Sequence, residues 1–67
     1  MEKIYRRSGY AITEDENGIW ISWTVGPYNE TVTYSITREN LEKALKSDHD
    51  AYEVMIYAET GRWPGRR

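Results

Sequence analysis

Residues 18–36 read GIWISWTVGPYNETVTYSI. Two runs of alternating side chains flank a glycine–proline turn signal, and alternation is the period of a strand. A four-residue loop at 26–29 sets Val25 opposite Glu30. Stepping back then pairs Thr24 with Thr31, Trp23 with Val32, Ser22 with Thr33, Ile21 with Tyr34, Trp20 with Ser35 and Ile19 with Ile36. One side of this hairpin carries Ile19, Ile21, Trp23, Val32, Tyr34 and Ile36. The other carries Trp20, Ser22, Thr24, Thr31, Thr33 and Ser35. A slip of one residue would scramble that division, so the pattern itself specifies the register.

Trp20 and Trp23 are three positions apart, and odd spacing on a strand means opposite faces. Trp23, Tyr34 and Tyr10 are expected in the core. Trp20 stands on the Thr/Ser side. Two readings of it are open. A terminus, through Ile4 and Tyr5 or through Trp63 and Pro64, folds over the ring. Alternatively the ring is a surface anchor, a role in which exposed Trp and Tyr dominate interface energetics.

The pattern extends upstream. A strand is expected near 9–14, followed by the acidic turn EDENG at 14–18. A loop at 15–18 pairs Ile12 with Ile21 and Tyr10 with Trp23; a tighter Asn-Gly turn shifts the pairing by two and keeps the faces. Downstream, Thr37 can cap a helix over 38–46 with a stripe of Leu41, Ala44 and Leu45, and Ile36 with Leu41 fits a hydrophobic staple. In SDHDAYEVMIYAETG, Ser47 and Asp50 resemble a capping box, and Gly61 suits the helix end. Ala51, Val54, Met55 and Ala58, extended by Tyr52 and Ile56, form an apolar arc that a largely buried helix would use. A strand with Tyr52, Val54, Ile56 and Ala58 on one face is the rival reading. The expected fold is α+β: a three-stranded antiparallel meander followed by two C-terminal helices packed on one face, in one small domain spanning 1–67.

With 67 residues, three Trp, six Tyr and no Cys, the aromatics must supply much of the burial, and no disulfide or thiolate site can help. No apolar run approaches the length of a membrane span. The start, MEKIYRRSGY, has no apolar segment of the kind a signal peptide needs, so a cytoplasmic setting is expected and the sequon at Asn29 reads as chance.

Charge is uneven. Lys3, Arg6 and Arg7 outweigh Glu2 at one end, and Arg62, Arg66 and Arg67 stand at the other. Every other acid lies between them, against only Arg38, Lys43 and Lys46. An acidic body with basic ends is a poor platform for phosphate backbones, which want a continuous basic face.

Catalytic patterns are not found. The single histidine, His49, lies between Asp48 and Asp50, whose side chains diverge on a helix, so this triplet is not read as a metal site. Serines 8, 22, 35 and 47 have no histidine partner in any motif, and the acids at 14–16 read as a solvated turn. No enzyme activity, cofactor or metal is expected.

The order YAITEDENGIWISW, a glycine loop, then TRENLEKAL resembles HicB-type antitoxin domains over roughly residues 10–45. The chain departs from that family at the loop, where TVGPYNE replaces a Pro-Gly-Cys-like turn, and it shows no DNA-binding extension. The resemblance implies neutralisation of a partner protein.

The expected function is thus a small non-enzymatic interaction module, an inhibitor, antitoxin-like or accessory factor. It would bind a protein partner, or itself as a homodimer, through the sheet face and an edge strand at 30–36. Trp20, Tyr28, Thr33 and Trp63 are the candidate contacts. The alternative is a nucleic-acid accessory protein using Arg6, Arg7, Arg62, Arg66 and Arg67, with Tyr5 and Trp63 as stacking groups.

Overall fold

A computed structural model describes residues 2–64. The fold class is α+β, with a four-stranded antiparallel sheet and two helices. The chain divides after Ile36 into two compact units, one holding the strands and one the helices.

The strands are β1 (Lys3–Arg7), β2 (Tyr10–Asp15), β3 (Gly18–Val25) and β4 (Glu30–Ser35), ordered in the sheet as in the chain. The β3–β4 ladder runs from Trp20 opposite Ser35 to Val25 opposite Glu30, the register expected from the alternation. It extends one step further, where the Ile36 N–H donates to the Ile19 carbonyl at 2.9 Å. The β2–β3 ladder sets Ile12 opposite Ile21, also as expected, but closes more tightly. Asp15 faces Gly18, and the Asp15 carboxylate accepts from the Asn17 N–H at 2.7 Å across the turn. The ladder ends at Ala11 opposite Ser22, so the expected Tyr10–Trp23 pair is not part of it.

The expected three strands are corrected to four. Residues 3–7 pair with β2, from Lys3 opposite Glu14 to Arg7 opposite Tyr10. Ser8 and Gly9 make the two-residue connection. Gly9 has φ +94°, a conformation only glycine adopts freely, which is why this short loop closes here. The N-terminal segment is therefore a strand beside β2 and not an arm lying over Trp20.

One sheet face carries the buried residues Tyr10, Ile12, Ile19, Ile21 and Ile36, with Ile12 and Ile21 fully buried. Trp23 and Tyr34 share that face but are only half-buried, a correction to their expected core role. Their rings lean on each other at 5.4 Å, tilted by 30°. Trp23 lies one position past the last β2–β3 pair, Ala11 with Ser22, toward the open end of the β3–β4 arm.

The helical unit contains α1 (Arg38–Ala44) and α2 (Asp48–Thr60), which pack on each other. The Thr37 hydroxyl accepts from the Asn40 N–H at 3.1 Å, as a cap should. Helix α1 is two residues shorter than expected: the Lys46 N–H turns back to the Lys43 carbonyl, tightening the last turn. Ser47 accepts from the Asp50 N–H at 3.0 Å and its hydroxyl donates to the Asp50 carboxylate at 3.1 Å. Residues 52–58 are thereby helical, and the strand alternative falls. Gly61 ends α2 in the left-handed conformation, its N–H on the Tyr57 carbonyl at 2.8 Å. Ala51 and Val54 are the buried residues of α2, whereas Tyr52 is 61 % exposed, so its apolar stripe is narrower than the composition suggests.

Candidate interaction surface

The second sheet face is set by the same registers. Ile4, Thr13, Trp20 and Ser35 form one row across all four strands, and Arg6, Ala11, Ser22 and Thr33 form the next. Thr24 and Thr31 follow on the hairpin arm. Ile4, Arg6, Thr24, Thr31, Thr33 and Ser35 are exposed, and Trp20 is half-buried. The indole lies back over Gly18, two residues earlier on the same face. A Cβ at that glycine would come within 3.4 Å of the ring, and its φ of +152° already disfavours a side chain. Trp20 thus packs over Gly18 of its own strand and stays half-buried, opposite Ser35 in the ladder.

The β3–β4 arm runs past the end of β2. Gly9, Tyr10, Ala11, Ser22, Trp23, Thr24 and Thr31 line an open depression of about 350 Å³ at that step. At the tip, the Asn29 N–H closes the turn onto the Gly26 carbonyl at 3.3 Å, and Tyr28 is 85 % exposed. Thr33 sits near the middle of β4, an outer strand among the described residues. The sheet unit therefore brings Trp20 and Thr33 onto one face and puts Tyr28 at the end of the same hairpin.

Edge exposure differs between the outer strands. Strand β1 carries Lys3, Arg6 and Arg7, charges of the kind that discourage strand addition. Strand β4, ETVTYS, has no proline or lysine, and Glu30 is its single charge.

Trp63 belongs to the helical unit. Its ring stacks on Tyr57 at 4.3 Å, nearly parallel, and the Lys43 ammonium lies 5.6 Å from its centroid. Part of the ring is already engaged within the chain, though the residue is 45 % exposed. The groups named for nucleic acid do not form one face on β1. Arg6 and Arg7 alternate sides, the Arg7 guanidinium donates to the Arg6 carbonyl at 3.1 Å, and Tyr5 is half-buried on the face of Ile12 and Ile21. Arg62 follows α2, its N–H held by the Thr60 hydroxyl at 3.2 Å. Arg66 and Arg67 lie outside the described residues.

His49, Asp50 and Glu53 gather their ligand-type atoms within 4.8 Å of one another, a grouping that pairs His49 with Glu53 one turn on and not with Asp48. A resident cation serves the two carboxylates: the Lys43 ammonium is 2.9 Å from Asp50 and 3.0 Å from Glu53. The hydrogen bond from Lys43, followed by that from Ser47, holds the Asp50 carboxyl below its usual range. The bonds to Asp50 and Glu53 raise the Lys43 ammonium above its usual value.

The lowered Asp50 pKa contributes stability above its unfolded value, lost as pH falls through the depressed folded value. The raised Lys43 pKa contributes stability below its unfolded value, lost as pH rises through the elevated folded one. Wild-type melting temperature should therefore fall below about pH 4 and above about pH 10.5, and Lys43→Met should flatten both limbs. Thermal melts of the two proteins across pH check this; superimposable profiles would show that the cluster contributes nothing.

No protein-family model, curated protein or solved structure matches the chain.

Proposed function

We propose that this protein is a non-enzymatic, cytoplasmic interaction module that engages another protein surface through β4 and the adjoining Trp20 face. The observation that carries the reading is the pairing of two features on one side of the sheet. An outer strand with no lysine or proline, whose single charge is Glu30 at its far end, runs beside a half-buried indole on a bed of exposed hydroxyls. An uncovered strand edge offers backbone hydrogen bonds to an added strand, and a neighbouring aromatic supplies the anchor. Hydroxyl groups can re-form their hydrogen bonds across such a contact, which limits the desolvation penalty. The protein-neutralising role implied by the HicB-type resemblance is one form this activity could take. The scattering of Arg6 and Arg7 onto opposite faces makes the nucleic-acid alternative the weaker of the two.

The test uses Trp20→Ala and Thr33→Pro. Proline is tolerated on an outer strand where the lost N–H faced solvent, so Thr33→Pro should block the edge while sparing the ladder to β3. Both variants are expected to keep a cooperative melt. Each should weaken association by about 2 kcal/mol or more, whether measured as sedimentation of the purified chain or as stoichiometric capture of a protein from native-cell lysate. Variants that associate as the wild type does, or a wild type silent in both assays, would refute the reading.

A further inference from the structure

We infer that the partner strand at this edge is β4 of a second copy, in the antiparallel register that sets Thr33 opposite Thr33 across a two-fold axis. The inference rests on the interaction surface proposed above and names its occupant.

The backbone decides the register. Because the Ile36 N–H bonds the Ile19 carbonyl, the alternation of an antiparallel ladder turns Tyr34, Val32 and Glu30 toward β3 as well. The N–H and C=O groups of Thr31, Thr33 and Ser35 therefore point to the free edge. These same three residues place their side chains on the Trp20 face. Two copies can join with faces matched only if these positions meet one another. Centring the axis on Thr33 pairs Thr33 with its own counterpart and Thr31 with Ser35 of the second copy, in both directions. Every outward N–H and C=O of the three residues then has a partner.

The side chains agree with that register. On one face Thr meets Thr and Thr meets Ser. On the other, Val32 meets Tyr34 of the second copy, and aromatic–β-branched pairs are favourable across strands. Trp20 lies one strand from the seam, beside Ser35.

Charge also selects β4 over β1. Glu30, the single charge of β4, falls at the outer end of the joint strand pair, opposite Ile36 of the second copy. The two Glu30 residues are then six strand positions apart, roughly 20 Å, beyond a Debye length at physiological salt. Pairing β1 with β1 would instead crowd Lys3, Arg6 and Arg7 of both copies along one seam. Joining β4 of one copy to β1 of the next would be a head-to-tail contact, which builds a ring or an open filament in place of a two-fold dimer.

The chain has no cysteine, so single introduced thiols report without background. Opposed residues of a hydrogen-bonded pair have Cα atoms about 5.5 Å apart, within disulfide reach. Thr33→Cys should form a covalent dimer under mild oxidation at micromolar concentration, at least tenfold faster than Thr31→Cys. Thr31 stands about 14 Å from its own counterpart in this register. Thr31→Cys should nonetheless cross-link when mixed with Ser35→Cys. Reduced forms of all three should melt cooperatively, and wild type should sediment as a dimer that Thr33→Pro dissociates at least tenfold more readily. Equal cross-linking of Thr33→Cys and Thr31→Cys, a monomeric wild type, or a ladder of higher oligomers would each overturn the proposal. If self-pairing fails while Thr33→Pro abolishes capture of a different protein, the edge is an interaction surface with another occupant. If that capture also persists, the surface itself is wrong.

Discussion

Met55→Pro is expected to abolish the folded helix α2. Met55 lies in the interior of Asp48–Thr60, where its N–H belongs to the helical ladder. Proline removes that bond and drives its ring against the carbonyl four residues back, at a loss of about 3 kcal/mol or more. The break falls immediately after Val54, which is fully buried, so the packed stripe of Ala51 and Val54 would be disrupted as well. A chain of this size has a total stability on the order of 3–10 kcal/mol, so one such loss removes much of it. Far-UV circular dichroism and Cα chemical shifts across 52–58 read the outcome directly. A variant retaining helical shifts through Tyr57 would contradict the capped-helix assignment.

The second large effect is expected at Ile21. This residue is fully buried, and its row across the sheet contains Tyr5, Ile12 and Tyr34. Truncating a buried Ile to Ala typically removes about 2–5 kcal/mol, because the transfer term is joined by the cavity left behind. Ile21→Ala should fall in the upper half of that range, since Ile12 beside it is equally enclosed and has little freedom to collapse into the gap. Thr24→Ala, on the opposite face and exposed, should change stability by no more than about 0.5 kcal/mol. Chemical denaturation of the two variants separates the faces; equal losses would mean the sheet is divided differently.

The division of β3 and β4 was legible in the sequence because Ile, Trp and Tyr on one side contrast with Thr and Ser on the other. Strand β1 offered no such contrast. In KIYRR only Tyr5 is even half-buried, so binary patterning had nothing to report. The remaining signal was the Ser8–Gly9 dipeptide, a recognised turn marker. The caps of both helices were readable because capping is local: Thr37 reaches Asn40 and Ser47 reaches Asp50, each within one turn. Trp23 was over-assigned to the core because alternation fixes the face of a side chain but not how far the neighbouring strand extends.

The candidate surface was readable in part for the same reasons. Parity placed Trp20 and Thr33 on one side and the turn signal placed Tyr28 at a tip. Which residues of β4 turn their backbone outward was not readable, since side-chain type does not reveal which cross-strand pairs exchange hydrogen bonds. Nor was the Lys43–Asp50–Glu53 cluster, which forms between two helices, or the Tyr57–Trp63 stack, which forms only after Gly61 reverses the chain.

The strand order has a kinetic consequence. Each ladder joins strands adjacent in the chain, through connections of two residues at Ser8–Gly9, two at Glu16–Asn17 and four at Gly26–Asn29. Loop-closure entropy grows with the length of chain that must be looped, so none of the three pairings carries the penalty of a distant encounter. A single hairpin forms on the order of microseconds, and each one here offers a finished edge to the next. Sheets dominated by non-local pairing fold slowly and leave sticky edges waiting for their partners. This sheet assembles by successive short closures, so the time spent with interior strands unpaired is brief. The outer edge of β4 is the exception: among the described residues no later strand arrives to pair with it.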